Sequence, residues 1–271
     1  MKLKDELKEK WPVILMIVSL ALFLFAGIQL LLYYSDFRRE SKLDGRLQGI
    51  RSKILAEEAD VERKNTEEAA WERAQHVMTE LAAINPDYLG WITLEGTEIS
   101  YPVVQRDNDY YLDHDFEGNV NRHGAIFLDG GCDADFAVWL IHGHHMKDGT
   151  MFGSLKNMEK VSYLQEHTTL YFDVGDGDEE YRIYAAALID FSAENESFRS
   201  FHYEQLPLTT EEFTLWQSNL KRYSYWYDPA YEERLKDISA SLQPREILIL
   251  STCEYGTELQ RLIVVAVRAE E

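Results

Sequence analysis

The longest apolar feature of the chain is the stretch WPVILMIVSLALFLFAGIQLLLYYS at residues 11–35, which contains no charge. A helix that crosses the hydrocarbon of a bilayer needs about 20 such residues. A cleaved signal peptide has a shorter apolar region, about 7–15 residues, and a small-residue cleavage site, and neither is seen here. The pattern predicts an uncleaved transmembrane signal-anchor helix after a short N-terminus at 1–10, with a buried soluble helix as the alternative.

A different pattern covers residues 36–85, where apolar residues recur at three-, four- and seven-residue steps between charged ones. This spacing predicts one or two amphipathic helices, ended by Asn85-Pro86. A linker of this kind is either a stalk with a solvated charged face or a dimerising coiled coil. The recurring residues are Leu43, Leu47, Ile50, Ile54 and Val61.

After Pro86 the pattern changes to short β-branched and aromatic runs separated by turn residues, which is typical of strands. Eight short strands over 86–271 predict a mainly β domain, a barrel or sandwich rather than βαβ units. The turn Gly175-Asp176-Gly177-Asp178 indicates a hairpin, and Thr209–Tyr223 has the spacing and capping residue of a helix. The predicted strands are Trp91–Leu94, Ile99–Val104, Ala125–Leu128, Ala137–His142, Thr169–Val174, Tyr181–Ile189, Ile247–Ser251 and Leu262–Val267.

Charge and cysteine content exclude several classes of protein. Residues 86–271 hold 14 basic and 34 acidic side chains, which is −20 of the total charge of −21. Such a domain repels the phosphate backbone, so a nucleic-acid partner is not expected. The two cysteines, Cys132 and Cys253, form neither a disulfide framework nor a cysteine zinc site. Cys132 follows Asp129-Gly130-Gly131 and is interpreted as a structural or incidental thiol.

The sequence near the C-terminus, EILILSTCEYGTELQRLIVVAVR, places Cys253 just beyond an apolar strand and Arg261 at the start of the next. A cysteine at a strand end is held by a rigid scaffold and can face solvent. A neighbouring guanidinium favours the thiolate and offers fixed donors to a developing oxyanion. The alternative for a lone cysteine at this position is a small buried hydrophobe.

A second group of chemistry-bearing residues, His142-Gly143-His144-His145, follows another apolar strand. One hypothesis is a zinc site in which His142 and His144 are joined by Asp148 or His114. The other is an acid–base partner for Cys253, for which His144, just after the glycine, is best placed. Under this second hypothesis His142 and His145 are structural.

Taken together, these segments resemble a sortase of class B. The resemblance rests on LSTC followed by Arg261, on GHHM and DGTMF before it, and on YPVVQ, DNDYYL, HDFEGN and HGAIFLD upstream. The motifs stand in the family order over about residues 88–268. The resemblance implies an eight-stranded sortase-type β-barrel with flanking helices, carried on a transmembrane helix and a helical linker. It also implies a cysteine transpeptidase, with Cys253 as nucleophile, His144 as general acid and Arg261 as oxyanion stabiliser.

The resemblance further implies substrate contacts and a location. It identifies Asn108, Leu112, Ser251 and Glu254 as residues that hold the sorting peptide, and it implies no metal or other cofactor. His142 departs from the family pattern, which has Tyr before Gly-His. The implied partners are surface protein or pilin substrates with a C-terminal sorting signal, and a peptidoglycan precursor or pilin lysine as amine acceptor.

The implied topology is a single-pass protein of the cell membrane of a Gram-positive cell. The N-terminus, 1–10, is cytoplasmic and the catalytic domain, 86–271, is extracellular. The Lys/Arg count alone opposes this orientation, because four Lys precede the apolar stretch and six Lys/Arg follow it closely. Three other functions remain open: a class B pilin polymerase, a plain thiol endopeptidase, and a membrane-tethered binding module with a degenerate site.

Overall fold

The computed structural model describes residues 2–59, 67–190, 201–253 and 260–270. The chain divides into two compact units, Met1–Leu43 and Asp44–Glu271. Helix α1 begins at Lys2 in the first unit and ends at Ala59 in the second. Of the helices in the described ranges, α1 is the one that is long and apolar enough to cross a membrane, over Lys10–Ala56.

The second unit is built on a closed β-barrel of eight strands. The barrel strands are β1 Tyr88–Leu94, β2 Ser100–Gln105, β3 Ile126–Leu128, β4 Val138–His142, β5 Thr169–Asp173, β6 Glu179–Asp190, β8 Ile247–Cys253 and β9 Gln260–Arg268. They follow each other around the barrel in the order β5, β1, β2, β3, β4, β8, β9 and β6, and β6 pairs with β5 to close it. Most neighbours are antiparallel, whereas β2–β3 and β4–β8 are parallel.

All eight predicted strands are present, and the eight-stranded barrel is confirmed. The Gly175–Asp178 segment joins β5 to β6 as the predicted hairpin. A two-residue strand, β7 (Trp226–Tyr227), pairs with Ala185 and Ala186 of β6, beyond the residues that pair with β5. It was not predicted, because two residues carry no period.

Helices flank the barrel on several sides. The predicted helix is α4, Thr210–Tyr223; the Thr209 side chain accepts from the Glu212 N–H, and Glu212 reaches back to the Thr209 N–H in a capping box. The other helices in the described residues are α2 Glu67–Ile84, α3 Val161–Glu166 and α5 Glu232–Ala240, with 3₁₀ turns at Tyr110–Leu112, Gly153–Glu159 and Pro229–Tyr231.

The linker helices pack within the second unit instead of standing as a solvated stalk. Leu47 and Ile54 of α1 are buried, as are Val77 and Leu81 of α2. Arg51 of α1 donates from Nη2 to Oδ1 of Asp178 at 2.7 Å, in the β5–β6 turn. In the same turn, the Gly175 carbonyl accepts from Nε2 of Gln75 on α2 at 2.7 Å. The helices that precede the barrel therefore pack against it and hydrogen-bond to its β5–β6 turn. Val61, which was also predicted to belong to the apolar face of the linker, lies outside the described residues.

We expect the two halves of the N-terminal region to differ in their effect on stability. Removing residues 1–35 should leave a soluble domain with an unchanged melting temperature, because every buried residue that the structure describes lies after residue 35. Removing residues 1–85 should lower the melting temperature, since it removes buried aliphatic side chains that include Leu47, Ile54, Val77 and Leu81, and full burial of each contributes about 1.5–3 kcal/mol. Thermal unfolding of residues 36–271 and 86–271 compares the two. Equal melting temperatures would show that the linker helices contribute nothing to stability.

Candidate active site

The predicted chemistry-bearing residues converge because three strands meet at one edge of the barrel. Strands β4 and β8 are parallel, with His142 beside Ser251, so their carboxyl ends lie together. Strand β9 runs antiparallel to β8 and places Arg261 directly across from Cys253. The side chain of Cys253 is outside the described residues, but its backbone position in β8 is defined. His144, residue 253 and Arg261 therefore belong to one end of three adjacent strands.

Gly143 sets the position of His144. Its N–H donates to the Ser251 carbonyl at 3.2 Å, which extends the β4–β8 ladder one residue beyond the strand. A Cβ at residue 143 would lie 2.5 Å from Ile126 Cδ1 and 2.6 Å from a Phe152 ring carbon, so only glycine fits. The chain then turns, and Nε2 of His144 donates to the Leu112 carbonyl at 2.6 Å. This contact assigns the Nε2–H tautomer and leaves Nδ1 as the nitrogen for proton transfer.

Arg261 and His144 line one open groove of about 220 Å³. The Nη1 group of Arg261 donates to the carbonyl of Gln260 at 3.0 Å, which fixes part of the guanidinium at the start of β9. Both apolar and polar residues line the groove, a mixture that is typical of ligand-binding sites. The other described residues that line it are Asn108, Leu112, Phe127, Asp129, His142, Gly143, Ser251 and Thr252.

Asp129 organises one wall of the groove. Its Oδ2 accepts from Nε2 of His142 at 3.0 Å and from Nδ2 of Asn108 at 2.9 Å. Asn108 is fixed again by the Gly130 N–H, which donates to its Oδ1 at 2.6 Å. Burial raises the pKa of the Asp129 carboxyl, but hydrogen bonds from His142, the Gly131 N–H and Asn108 outweigh it, so the pKa lies below its usual range.

The four residues predicted to hold substrate differ in their placement. Asn108 and Leu112 line the groove, and the Leu112 side chain is 43% exposed. Ser251 also borders the groove, but its buried hydroxyl is hydrogen-bonded to the hydroxyl of Tyr203 at 2.8 Å. Glu254 lies outside the described residues. The structure thus brings three of the four to the groove, with Ser251 already engaged.

The hydrogen bonds that Asp129 and Tyr203 make at the groove were not predicted from the sequence. Asp129 stands 13 residues before its partner His142, and Tyr203 stands 48 residues before Ser251. The alternation of apolar residues in a strand gives no signal for either, because each pair joins a loop residue to a strand residue that it meets only in the folded chain. The one available signal was an acidic residue directly after the apolar run IFL.

The residues of the hypothesised zinc site each form a hydrogen bond with a different partner. His142 bonds to Asp129, His144 to the Leu112 carbonyl, and His114 to the Tyr110 carbonyl at 2.9 Å. Asp148 bonds instead to His123. Across the described part of the chain, no group of three or more His, Cys, Asp or Glu is arranged to hold a metal ion.

Cys132 lies away from the groove in the β3–β4 connection. Its side chain is 4% exposed, and burial raises the pKa of the thiol to about 12, which keeps it protonated. A neutral buried thiol is a poor nucleophile.

We therefore expect Cys132→Ala to retain kcat within about twofold, because the thiolate is the reactive form. Peptide cleavage by Cys132→Ala, with Cys253→Ala assayed beside it, measures this. A loss in Cys132→Ala as large as that in Cys253→Ala would overturn the assignment.

Comparison with known proteins identifies the family of this domain. The sortase domain model matches residues 92–269. The chain belongs to the sortase family. Sortase B of Listeria monocytogenes is 31% identical over 189 residues, covering 68% of this chain and 70% of the relative. Sortase B of Staphylococcus aureus is 30% identical over 193 residues, covering 69% and 72%.

Solved structures agree with this assignment. The crystal structure of sortase B from Bacillus anthracis in complex with AAEK1 has a TM-score of 0.67 and 27% identity, and covers 88% of this sortase and 100% of that chain. The Staphylococcus aureus sortase B–substrate complex, at 24% identity and a TM-score of 0.65, covers 86% and 97% and supports the fold. The predicted resemblance to class B is confirmed, and the protein is a sortase-type transpeptidase.

Proposed function

We propose that this sortase is a membrane-anchored cysteine transpeptidase that cleaves a C-terminal sorting signal after Thr and joins the protein to an amine of the cell wall. The observation that carries the proposal is the convergence of His144, residue 253 and Arg261 at one barrel edge, beside a groove. These residue types supply a nucleophile, a proton donor and fixed hydrogen-bond donors, as acyl transfer requires.

The reaction begins when the thiolate of Cys253 adds to the Thr carbonyl carbon of the bound peptide. The carbonyl oxygen becomes an oxyanion, which the guanidinium of Arg261 stabilises. The C–N bond then breaks, and protonated His144 gives its Nδ1 proton to the departing amine, while Nε2–H stays bonded to the Leu112 carbonyl. A thioester joins the substrate protein to Cys253.

The second half of the reaction releases the product. An amine attacks the thioester carbonyl, an amide bond forms, and the Cys253 thiolate leaves. Deprotonated His144 takes the proton that the attacking amine loses, so the site returns to its starting state. Peptidoglycan precursors and pilin lysines both carry amines of this chemistry, and a water molecule in the same place would give hydrolysis.

The proposed topology follows from this reaction. Residues 11–35 anchor the protein in the cell membrane, with 1–10 cytoplasmic, 36–85 as the linker, and the catalytic domain, 86–271, on the outer face. The partners are surface proteins or pilins that carry sorting signals, and the amine acceptor of the wall. A single apolar helix in α1 supports the anchor.

A peptide library tests the proposal on the full chain in detergent micelles. Each candidate sorting peptide is added, and intact-protein mass spectrometry followed by peptide mapping locates the acyl adduct. We expect a thioester on Cys253 with matching peptides, and an amide product when an amine acceptor is added. An adduct elsewhere, or cleavage that persists in Cys253→Ala, would contradict the mechanism. Preference for a lysine side chain would indicate a pilin polymerase, and hydrolysis alone an endopeptidase.

A further inference from the structure

His123 and Asp148 join two loops that flank His144. The Nε2 atom of His123 donates to Oδ2 of Asp148 at 3.2 Å. The His123 side chain is fully buried, and that of Asp148 is 15% exposed. A hydrogen bond between such groups is protected from competing water and holds its partners firmly. Neither residue is among the described residues that line the groove.

His123 is also fixed on its other side. The Asn121 Oδ1 atom accepts from the backbone N–H of His123 at 3.1 Å, which assigns that atom as the oxygen. The ring Nδ1 of His123 lies 3.1 Å from the same oxygen. Both ring nitrogens therefore face oxygen acceptors. The imidazole has no freedom to turn without breaking one of these contacts.

Asp148 shapes the loop that follows His144. Its second oxygen, Oδ1, accepts from the backbone N–H of Thr150 at 3.0 Å and from the Thr150 hydroxyl. Two residues later the Phe152 N–H donates to the carbonyl of His144 at 3.0 Å, so the loop closes on the histidine itself. Asp148 thus uses one oxygen to form this loop and the other to tie it to His123.

The segment that carries His123 passes close to the ring of His144. Gly124 has φ of +60°, and a Cβ there would lie 2.4 Å from the Tyr111 carbonyl oxygen and 3.0 Å from Cδ2 of His144. The next carbonyl, that of Leu112, accepts the hydrogen bond from the His144 ring. The backbone of His144 is therefore held by its own loop, and its imidazole lies beside the Gly124 segment.

We propose that His123 and Asp148 are a positioning pair that holds the His144 imidazole in its reactive orientation. The inference rests on the proposed role of His144 as proton donor. The pair closes a ring of contacts that runs from His144 through its loop to Asp148, across to His123, and back through Gly124 to the His144 ring. Opening this ring lets the loop and imidazole shift without removing any group that contacts substrate.

The kinetic test uses His123→Gln and Asp148→Asn in the full chain, assayed at a temperature where circular dichroism shows both folded. We expect kcat to fall at least about tenfold. A misplacement of the reacting groups by ~1 Å costs roughly 10²-fold, which sets the upper end of the effect, and KM should stay within about twofold. Glu246→Gln is the matched control. Glu246 is a buried carboxylate that accepts from Arg234 at 2.6 Å and Arg268 at 3.0 Å, at the far end of β8. The Glu246→Gln variant should lose thermal stability and keep the wild-type kcat.

A second measurement needs no activity. Histidine ¹⁵N–¹H spectra of the labelled protein report the tautomer of His144, which we expect to be fixed as Nε2–H in the wild type and averaged in both variants. An unchanged His144 signal, or kcat within twofold of wild type alongside a lower melting temperature, would reduce the pair to a structural contact. If the wild-type protein forms no acyl-enzyme while the two variants show these spectral changes, the proposed function is refuted and the positioning role of the pair is retained.

Discussion

Arg261→Lys should lower kcat by about 10²–10³, equivalent to roughly 3–4 kcal/mol of lost transition-state stabilisation. A guanidinium presents two hydrogen bonds in a fixed plane, whereas the lysine ammonium is a compact charge on a flexible stem. The oxyanion exists only after the thiolate has added, so the loss falls on kcat and KM changes far less. Arg261→Ala should be impaired at least as strongly.

The position of Arg261 supports this role. Its Cα lies directly across the β8–β9 ladder from that of Cys253, and the residue lines the same groove as His144. The Gln260 carbonyl accepts from Nη1, which holds one edge of the guanidinium in place. A planar donor anchored on one side keeps its remaining N–H groups pre-oriented, which is the condition for effective oxyanion stabilisation.

A structural role for Arg261 gives a different result. If the residue only ordered the start of β9, Arg261→Ala would lower the melting temperature and Arg261→Lys would restore most of the activity. Arg268→Lys is the matched control, because Arg268 lies at the other end of β9 and pairs with Glu246. Steady-state transpeptidation and melting curves of the three variants separate the roles. A kcat near the wild-type value in Arg261→Lys would defeat the oxyanion assignment.

The barrel was predictable because its strands carry a local signal. β-Branched and aromatic runs such as VVAV in β9 are separated by turns, and Thr209 marks the start of α4 by its capping chemistry. Helix α5 (Glu232–Ala240) was missed, since its nine residues are mostly polar and bury only Leu235 and Ile238. Short elements stabilised by tertiary contact leave little pattern in the sequence.

In the candidate site too, the residues near strand ends were predictable from the sequence and the contacts made by loops were not. Residues at or just beyond a strand end, such as Cys253 and His144, were predictable because the strands themselves were, and the family resemblance then assigned their roles. The Asp129–His142 bond joins a loop to the end of β4 across 13 residues, and the His123–Asp148 bond joins two loops across 25 residues. Both depend on how the loops fold. No periodicity reports such a pairing, so these contacts emerge only from the structure.

Of the three neighbouring histidines, His144 should carry the largest catalytic effect. A positioned general acid contributes about 10²–10⁴-fold, so His144→Ala should lower kcat/KM by that amount and remove one limb of its pH profile. His142→Ala should act mainly on KM, because His142 bonds to Asp129 in the groove wall and so orders Asn108. His145→Ala should change little, since residue 145 forms a β-bridge with Met151 through backbone atoms.

Assaying each alanine variant on one sorting peptide, with elemental analysis for zinc, decides between the acid–base and metal hypotheses. The geometry favours the first, because the His144 ring donates to the Leu112 carbonyl through Nε2 and keeps Nδ1 for the proton. A ligand role requires a neutral nitrogen from each histidine aimed at one point, whereas the His142 ring is directed to Asp129. Equally large losses in all three variants, together with bound zinc, would reverse the assignment and make His144 a metal ligand.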